Sequence, residues 1–277
     1  MTEPTPDTLD FAALDGLAFA AERGRLDGHP IPAFTAREIG PLFELSQLSA
    51  HGLLPAPQSA PFLTLDGLGP LVHAMQGDTG QWVAPGAASM GFLRTRTVPP
   101  ADTVWTGFGL AAQKAATASG FPRKIAAQLA AALGELHSNI YEHAQAPDTG
   151  VIAFRAESGR FEFVVADHGI GVLESLRSAA AYAQLDDHGE ALRLTLTDGV
   201  SRYGPDTGRG HGFRPLFIGL ANLNGALRFR SGDHALLIDG QNPSLMTARA
   251  AQKPAMQGFL IAVSCTTDNA PRGKRTL

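Results

Sequence analysis

The chain has 277 residues, 44% of them apolar, enough for one large core or two modest ones. A formal net charge of −4 sets up no general attraction to DNA, RNA or acidic lipid, so neither nucleic acid nor membrane is an expected partner. The single cysteine, Cys265, excludes a disulfide-stapled scaffold, and no apolar stretch approaches the roughly 20 residues that span a bilayer.

Residues 1–10 carry Glu3, Asp7, Asp10 and two prolines, the reverse of a basic-then-apolar signal peptide. They read as a flexible tail on a cytoplasmic protein. Residues 11–98 form a Pro-punctuated N-terminal region of mixed character and unassigned fold. Helical spacing appears over Thr35–Ser49, a short strand at Phe62–Leu65 and a short helix at Leu68–Met75. This region carries no chemical motif, and partner binding or homodimerisation are the roles open to it. The stretch Thr97–Asp102 reads as a boundary, and 99–266 as the second domain.

Beyond the boundary the signals become regular. Thr103–Thr106 reads as a strand, Gly109–Ala118 as a helix and Gly120-Phe121-Pro122 as a break. The strongest element is a helix over Arg123–His143, with Ile125, Leu129, Ala132, Leu136 and Ile140 on one stripe. Glu135 and Asn139 share a line at the edge of that stripe, and His143 follows one turn later. A hairpin comes next, Val151–Ala156 and Phe161–Asp167, running into Asp167-His168-Gly169-Ile170-Gly171. Residues 172–207 are a long connection with helices over Glu174–Tyr182 and Glu190–Leu196. It ends at Gly208-Arg209-Gly210-His211-Gly212, which feeds a helix from Arg214 to Leu223. Strands at Ala226–Arg230, Ala235–Asp239 and Gly258–Cys265 complete the pattern, and 267–277 is a basic tail.

Three segments can carry chemistry. The Asn139 carbonyl is a neutral hard ligand suited to a Mg²⁺ that also holds phosphate oxygens and waters. Glu135, one turn earlier, is placed to orient or deprotonate a water, and His143 offers a donor near phosphate. Asp167 ends a strand where a carboxylate can accept from an exocyclic amine, while Gly169 and Gly171 admit a flat ring close to the backbone. Gly208, Gly210 and Gly212 precede a helix start, where free N–H groups favour an anion, and Arg209 and His211 add charge-assisted donors. Neither glycine segment is a P-loop, since no Lys-Ser/Thr follows. The dinucleotide fingerprint also fails, because Glu174 stands at its third glycine. His137 and His143, six apart, are not spaced as a zinc pair.

In this order the segments resemble the GHKL superfamily, which includes gyrase, the large heat-shock chaperones and sensor histidine kinases. Glu135, Asn139 and His143 look like its N box, in the form seen in stand-alone anti-sigma-factor kinases. Asp167, Gly169 and Gly171 look like its G1 box, and Gly208, Gly210 and Gly212 like its G2 box. The resemblance covers residues 99–266. It implies an α+β Bergerat fold, a two-layer sandwich with a mostly antiparallel sheet and helices on one face, and 172–207 as an ATP lid. It further implies ATP and Mg²⁺ as ligands, with Asn139 on the metal, Glu135 as base, Asp167 on adenine and the second glycine loop on phosphate. The expected function is a regulatory Mg-ATP protein that hydrolyses ATP or phosphorylates a protein in trans. The alternative is a nucleotide-gated interaction module with little turnover, engaging a protein partner through the N-terminal region or the lid. No histidine sits in the H-box context of a sensor kinase, so self-phosphorylation on histidine is not expected. Nor is the second domain that supplies a γ-phosphate lysine in gyrase-like members.

Overall fold

The computed structural model describes residues 6–26, 28–86, 89–95, 103–196, 225–238 and 248–267. The N-terminal unit alternates strand and helix: β1 (Asp7–Thr8), α1 (Phe11–Glu22), β2 (Phe34–Ala36), α2 (Ile39–Ala50), β3 (Leu63–Leu65) and α3 (Gly69–Gln76). Its three short strands pair in parallel in the order β1-β2-β3. Asp10 opens α1 by accepting from the Ala13 amide at 2.8 Å, and Pro41 is tolerated in α2 because it falls in the first turn.

The larger sheet takes β4 (Gln81–Val83), β5 (Met90–Arg94), β6 (Val151–Glu157), β7 (Arg160–Asp167), β8 (Ala226–Ile238) and β9 (Arg249–Thr266). Its order is β4-β5-β6-β7-β9-β8, every neighbouring pair antiparallel. Two strands from before residue 98 thus complete the sheet. On one face lie α4 (Thr103–Ala118), α5 (Arg123–His143), α6 (Gly171–Arg177) and α7 (His188–Leu194). This is the expected α+β two-layer sandwich.

The opposite face is not left to solvent. Phe154, Phe161, Phe163, Val165 and Ile261 pack under the helices, while Phe92, Val164, Ala166, Leu260 and Ala262 pack against the N-terminal unit. The alternation along β7 therefore divides two cores rather than a core from water.

Four local expectations differ from the structure. Thr103–Thr106 is the first turn of α4, because Trp105 stacks on His137 of α5 with centroids 4.1 Å apart, and this packing overrides β-branched propensity. The two short strands after residue 225 are one strand, β8, and the supposed turn is a bulge around Gly232, whose φ is +60°. The last strand begins at Arg249, since its polar first half pairs with the far half of β8. The first helix of the connection is shorter than expected, ending at Arg177, with a separate 3₁₀ turn at Ala180–Tyr182.

No helix among the described residues is long and apolar enough to cross a membrane.

Candidate nucleotide site

The 21-residue helix α5 runs under the sheet with Leu129, Leu133, Leu136 and Ile140 fully buried. Its polar line emerges beside that stripe: Glu135 is exposed, and Asn139 and His143 are half-buried. His137, within the same motif, turns the other way. It is 1% exposed, neither ring nitrogen has a hydrogen-bond partner, and burial lowers its pKa to about 4, so it is a neutral core residue.

The end of α5 and the turn after β7 are locked together. The Ile170 amide donates to the Ala144 carbonyl at 2.9 Å. A Cβ on Gly169 would sit 2.1 Å from that same carbonyl oxygen, so only glycine permits the approach. Thr149 Oγ1 accepts from the His168 amide at 3.0 Å, fixing the turn from its other side. Gly171, with φ +76°, then starts α6 against Ser231, whose hydroxyl accepts from the Val172 amide at 3.0 Å and donates to the Gly258 carbonyl at 2.9 Å.

Asp167 is the centre of this arrangement. It is fully buried. Oδ1 accepts from the Gly169 amide at 2.8 Å, and Oδ2 is buried with no partner. Burial drives its pKa up to about 7, against the smaller opposing pull of the Gly169 and Phe259 amides. An orphaned carboxylate oxygen in a closed site is costly, and a donor that fills it recovers that cost. An exocyclic amine is such a donor.

His143 contacts α6, with Nδ1 3.3 Å from Ser175 Oγ. It thus joins the polar line of α5 to the start of the connecting segment. Among the described residues no group of three His, Cys, Asp or Glu could hold a metal ion. A cation here would rest on the Asn139 amide oxygen together with phosphate and water, the donor set Mg²⁺ accepts. Gly208, Arg209, Gly210, His211 and Gly212 lie outside the described residues.

Residues 101–210 match the family model of the histidine kinase-like ATPase domain. The chain carries a GHKL-type ATPase domain. The matched stretch runs from the start of α4 past Gly208 and takes in Glu135, Asn139, His143, Asp167, Gly169 and Gly171. No curated protein matches the chain.

Sequence reasoning missed three residues that the ATPase domain uses to hold its glycine turn. Ser231 was hidden in an apparent hairpin loop. Gly258, with φ +74°, would place a Cβ 2.0 Å from the Asp167 carbonyl oxygen. Gln47 of the N-terminal unit donates from Nε2 to the carbonyls of Asp167 and Phe259, both at 3.2 Å. Only the glycine carried a signal, as a break at the head of an apolar run.

Proposed function

We propose that the protein is a regulatory Mg-ATP-binding protein that hydrolyses ATP or transfers its γ-phosphate to a protein in trans, in the cytoplasm. The observation that carries this reading is the buried, unpartnered Oδ2 of Asp167, set in a glycine turn pinned to the end of α5. In this reading Asp167 accepts the adenine amine. Gly169 and Gly171 let the base lie against the backbone, and Asn139 on α5 would hold Mg²⁺. The metal, when bound, neutralises phosphate charge. Glu135, exposed at the outer end of the same line, orients or deprotonates the attacking group. Gly208, Gly210 and Gly212, with Arg209 and His211 between them, cradle the phosphates.

The second reading, a nucleotide-gated interaction module with little turnover, gains support from the N-terminal unit's seat on the back of the ATPase sheet. Glu44, Arg228 and Arg230 are fully buried there in one charge cluster that ties the two units together. One experiment separates the readings. Release of the γ-phosphate from labelled Mg-ATP is followed on pure protein beside an Asn139→Ala control. Free phosphate that disappears in the control supports hydrolysis. Binding without release, relieved by an added protein substrate, supports transfer, and binding without any turnover supports gating. No saturable Mg-ATP binding at all removes the proposal.

A further inference from the structure

Helix α2 belongs to the N-terminal unit, yet its polar face is spent on the ATPase domain. Glu44, Gln47 and His51 lie at i, i+3 and i+7, hence on one side of the helix. Glu44 receives Arg228 through Nε and Nη2 at 2.6 and 2.7 Å, and also pairs with Arg230, the residue before Ser231. His51 Nε2 accepts from the Gln257 amide, and the Gln257 side chain donates to the His168 carbonyl at 2.9 Å. Even the helix start is capped from across the seam: the Ile39 amide donates to Glu162 Oε2 at 3.0 Å, while Glu38 at the N-cap makes no side-chain cap.

Gln47 is the central contact. It is 4% exposed, and its Nε2 spans the carbonyls of Asp167 and Phe259, which are register partners at the last rung of β7 with β9. Both neighbours are acceptors, so the carboxamide must present its NH₂ to them, and its orientation is fixed by chemistry. Its Oε1 is buried with no partner, so the side chain holds this pose at some cost. Beside it lies a cavity of about 250 Å³, lined by Gln47, Thr149, Ala166 and His168 among others. Those last three flank or hold the Asp167 turn. An open cleft thus runs beside Gln47, next to the residues on either side of Asp167.

We propose that Gln47 is a positioning residue of the nucleotide site, through which the seating of the N-terminal unit sets how well Asp167 reads the base. This rests on the reading of Asp167 as the adenine acceptor. When α2 is seated, Gln47 fixes the carbonyl of Asp167 and thereby the aim of Oδ2. When a partner draws α2 away, that aim is lost while the phosphate side of the site is untouched.

The test compares the affinity of the full chain for Mg-ATP with that for Mg-inosine triphosphate, whose base has a carbonyl in place of the amine. In wild type ATP binds more tightly. In Gln47→Leu, which keeps the volume and removes the donor, the ATP preference falls by about fivefold to tenfold while inosine triphosphate affinity stays within about twofold. A general weakening of the fold would lower both alike. A folded Gln47→Leu protein with the wild-type preference overturns the proposal. A wild type without preference, or an Asp167→Asn protein that retains it, overturns instead the Asp167 reading beneath it. A second measurement needs no variant: amide exchange over residues 44–51 slows when Mg-ATP is added to wild type. Unchanged exchange there, with nucleotide bound, also overturns the proposal.

Discussion

Asp167→Asn should make the nucleotide-free protein more resistant to heat as pH rises, relative to wild type, even as it removes nucleotide binding. An unfolded aspartate titrates near 3.8, whereas burial in the folded protein holds Asp167 at about 7. The folded state therefore binds this proton more tightly. Below pH 3.8 the carboxyl is neutral in both states and costs nothing. Between about 4 and 7 the unfolded chain ionises and the folded one resists, so wild-type stability falls with pH, and above 7 the loss levels off. Each tenfold in the protonation constant is about 1.4 kcal/mol, so the full loss is roughly 4 kcal/mol, of which about 3 kcal/mol accrues between pH 5 and pH 8. The asparagine never ionises. Its amide nitrogen, left without an acceptor, adds a cost of about 1–3 kcal/mol that does not vary with pH. The informative quantity is thus the change in the Tm difference between the two proteins, not the difference at one pH. Thermal unfolding at pH 5, 6, 7 and 8 should show the variant gaining about 5–10 °C on wild type across the range. Glu162, which burial also pushes to about 7 against the pull of Arg160, titrates in both proteins and cancels. Parallel Tm curves would refute the account of Asp167 as a buried carboxylate held in an unfavourable state. Mg-ATP at 100 times its Kd should then stabilise wild type by about 2.7 kcal/mol and leave the variant unmoved.

Glu135→Ala should bind Mg-ATP as wild type does and lose turnover, and normal phosphate release by that variant removes Glu135 from the chemistry. On the proposed role of ionised Asp167 as amine acceptor, nucleotide affinity of wild type should rise as pH increases through about 7 and then level off; a flat profile by calorimetry counts against that role. Gly169→Ala forces a methyl to within 2.1 Å of the Ala144 carbonyl oxygen, so denaturant unfolding should show a loss of about 2–4 kcal/mol together with weaker nucleotide binding. Glu44→Gln leaves the fully buried Arg228 and Arg230 without their shared carboxylate and should cost about 3–5 kcal/mol by the same assay.

The ATPase half was legible because its signals are local. The α5 stripe, the hairpin into Asp167 and the glycine spacing each report on residues a few positions apart. The helix ends where expected, at His143. The line of Glu135, Asn139 and His143 follows from helical geometry alone. What escaped was every feature whose cause lies far along the chain. The bulge in β8 looks like a turn until β9 is laid beside it. The polar start of β9 looks like a loop for the same reason. Thr103–Thr106 has strand propensity and becomes helix because Trp105 finds His137, 32 residues on.

The N-terminal unit escaped for a deeper reason. Its docking surface is built from residue types that, in sequence, mean solvent. Glu44, Arg228, Arg230 and Glu162 are the residues one assigns to a hydrated face, and all four are buried at the seam. Pairing makes that possible: Glu44 neutralises two guanidiniums, and Arg228 is shared with Asp15, which also meets Lys253 at 2.7 Å. Such a cluster adds little net stability over an apolar seam, but it fixes one register, because a one-residue slip would strand several charges at once. On the proposed reading, register is what the nucleotide site needs from this unit. With α2 set by Glu44 at its middle and by Glu162 at its start, Gln47 falls on the two carbonyls behind Asp167 and on nothing else. On the proposed reading, a motifless region thus has a specific task in this fold, to hold the back of the turn in which Asp167 Oδ2 is left unpartnered.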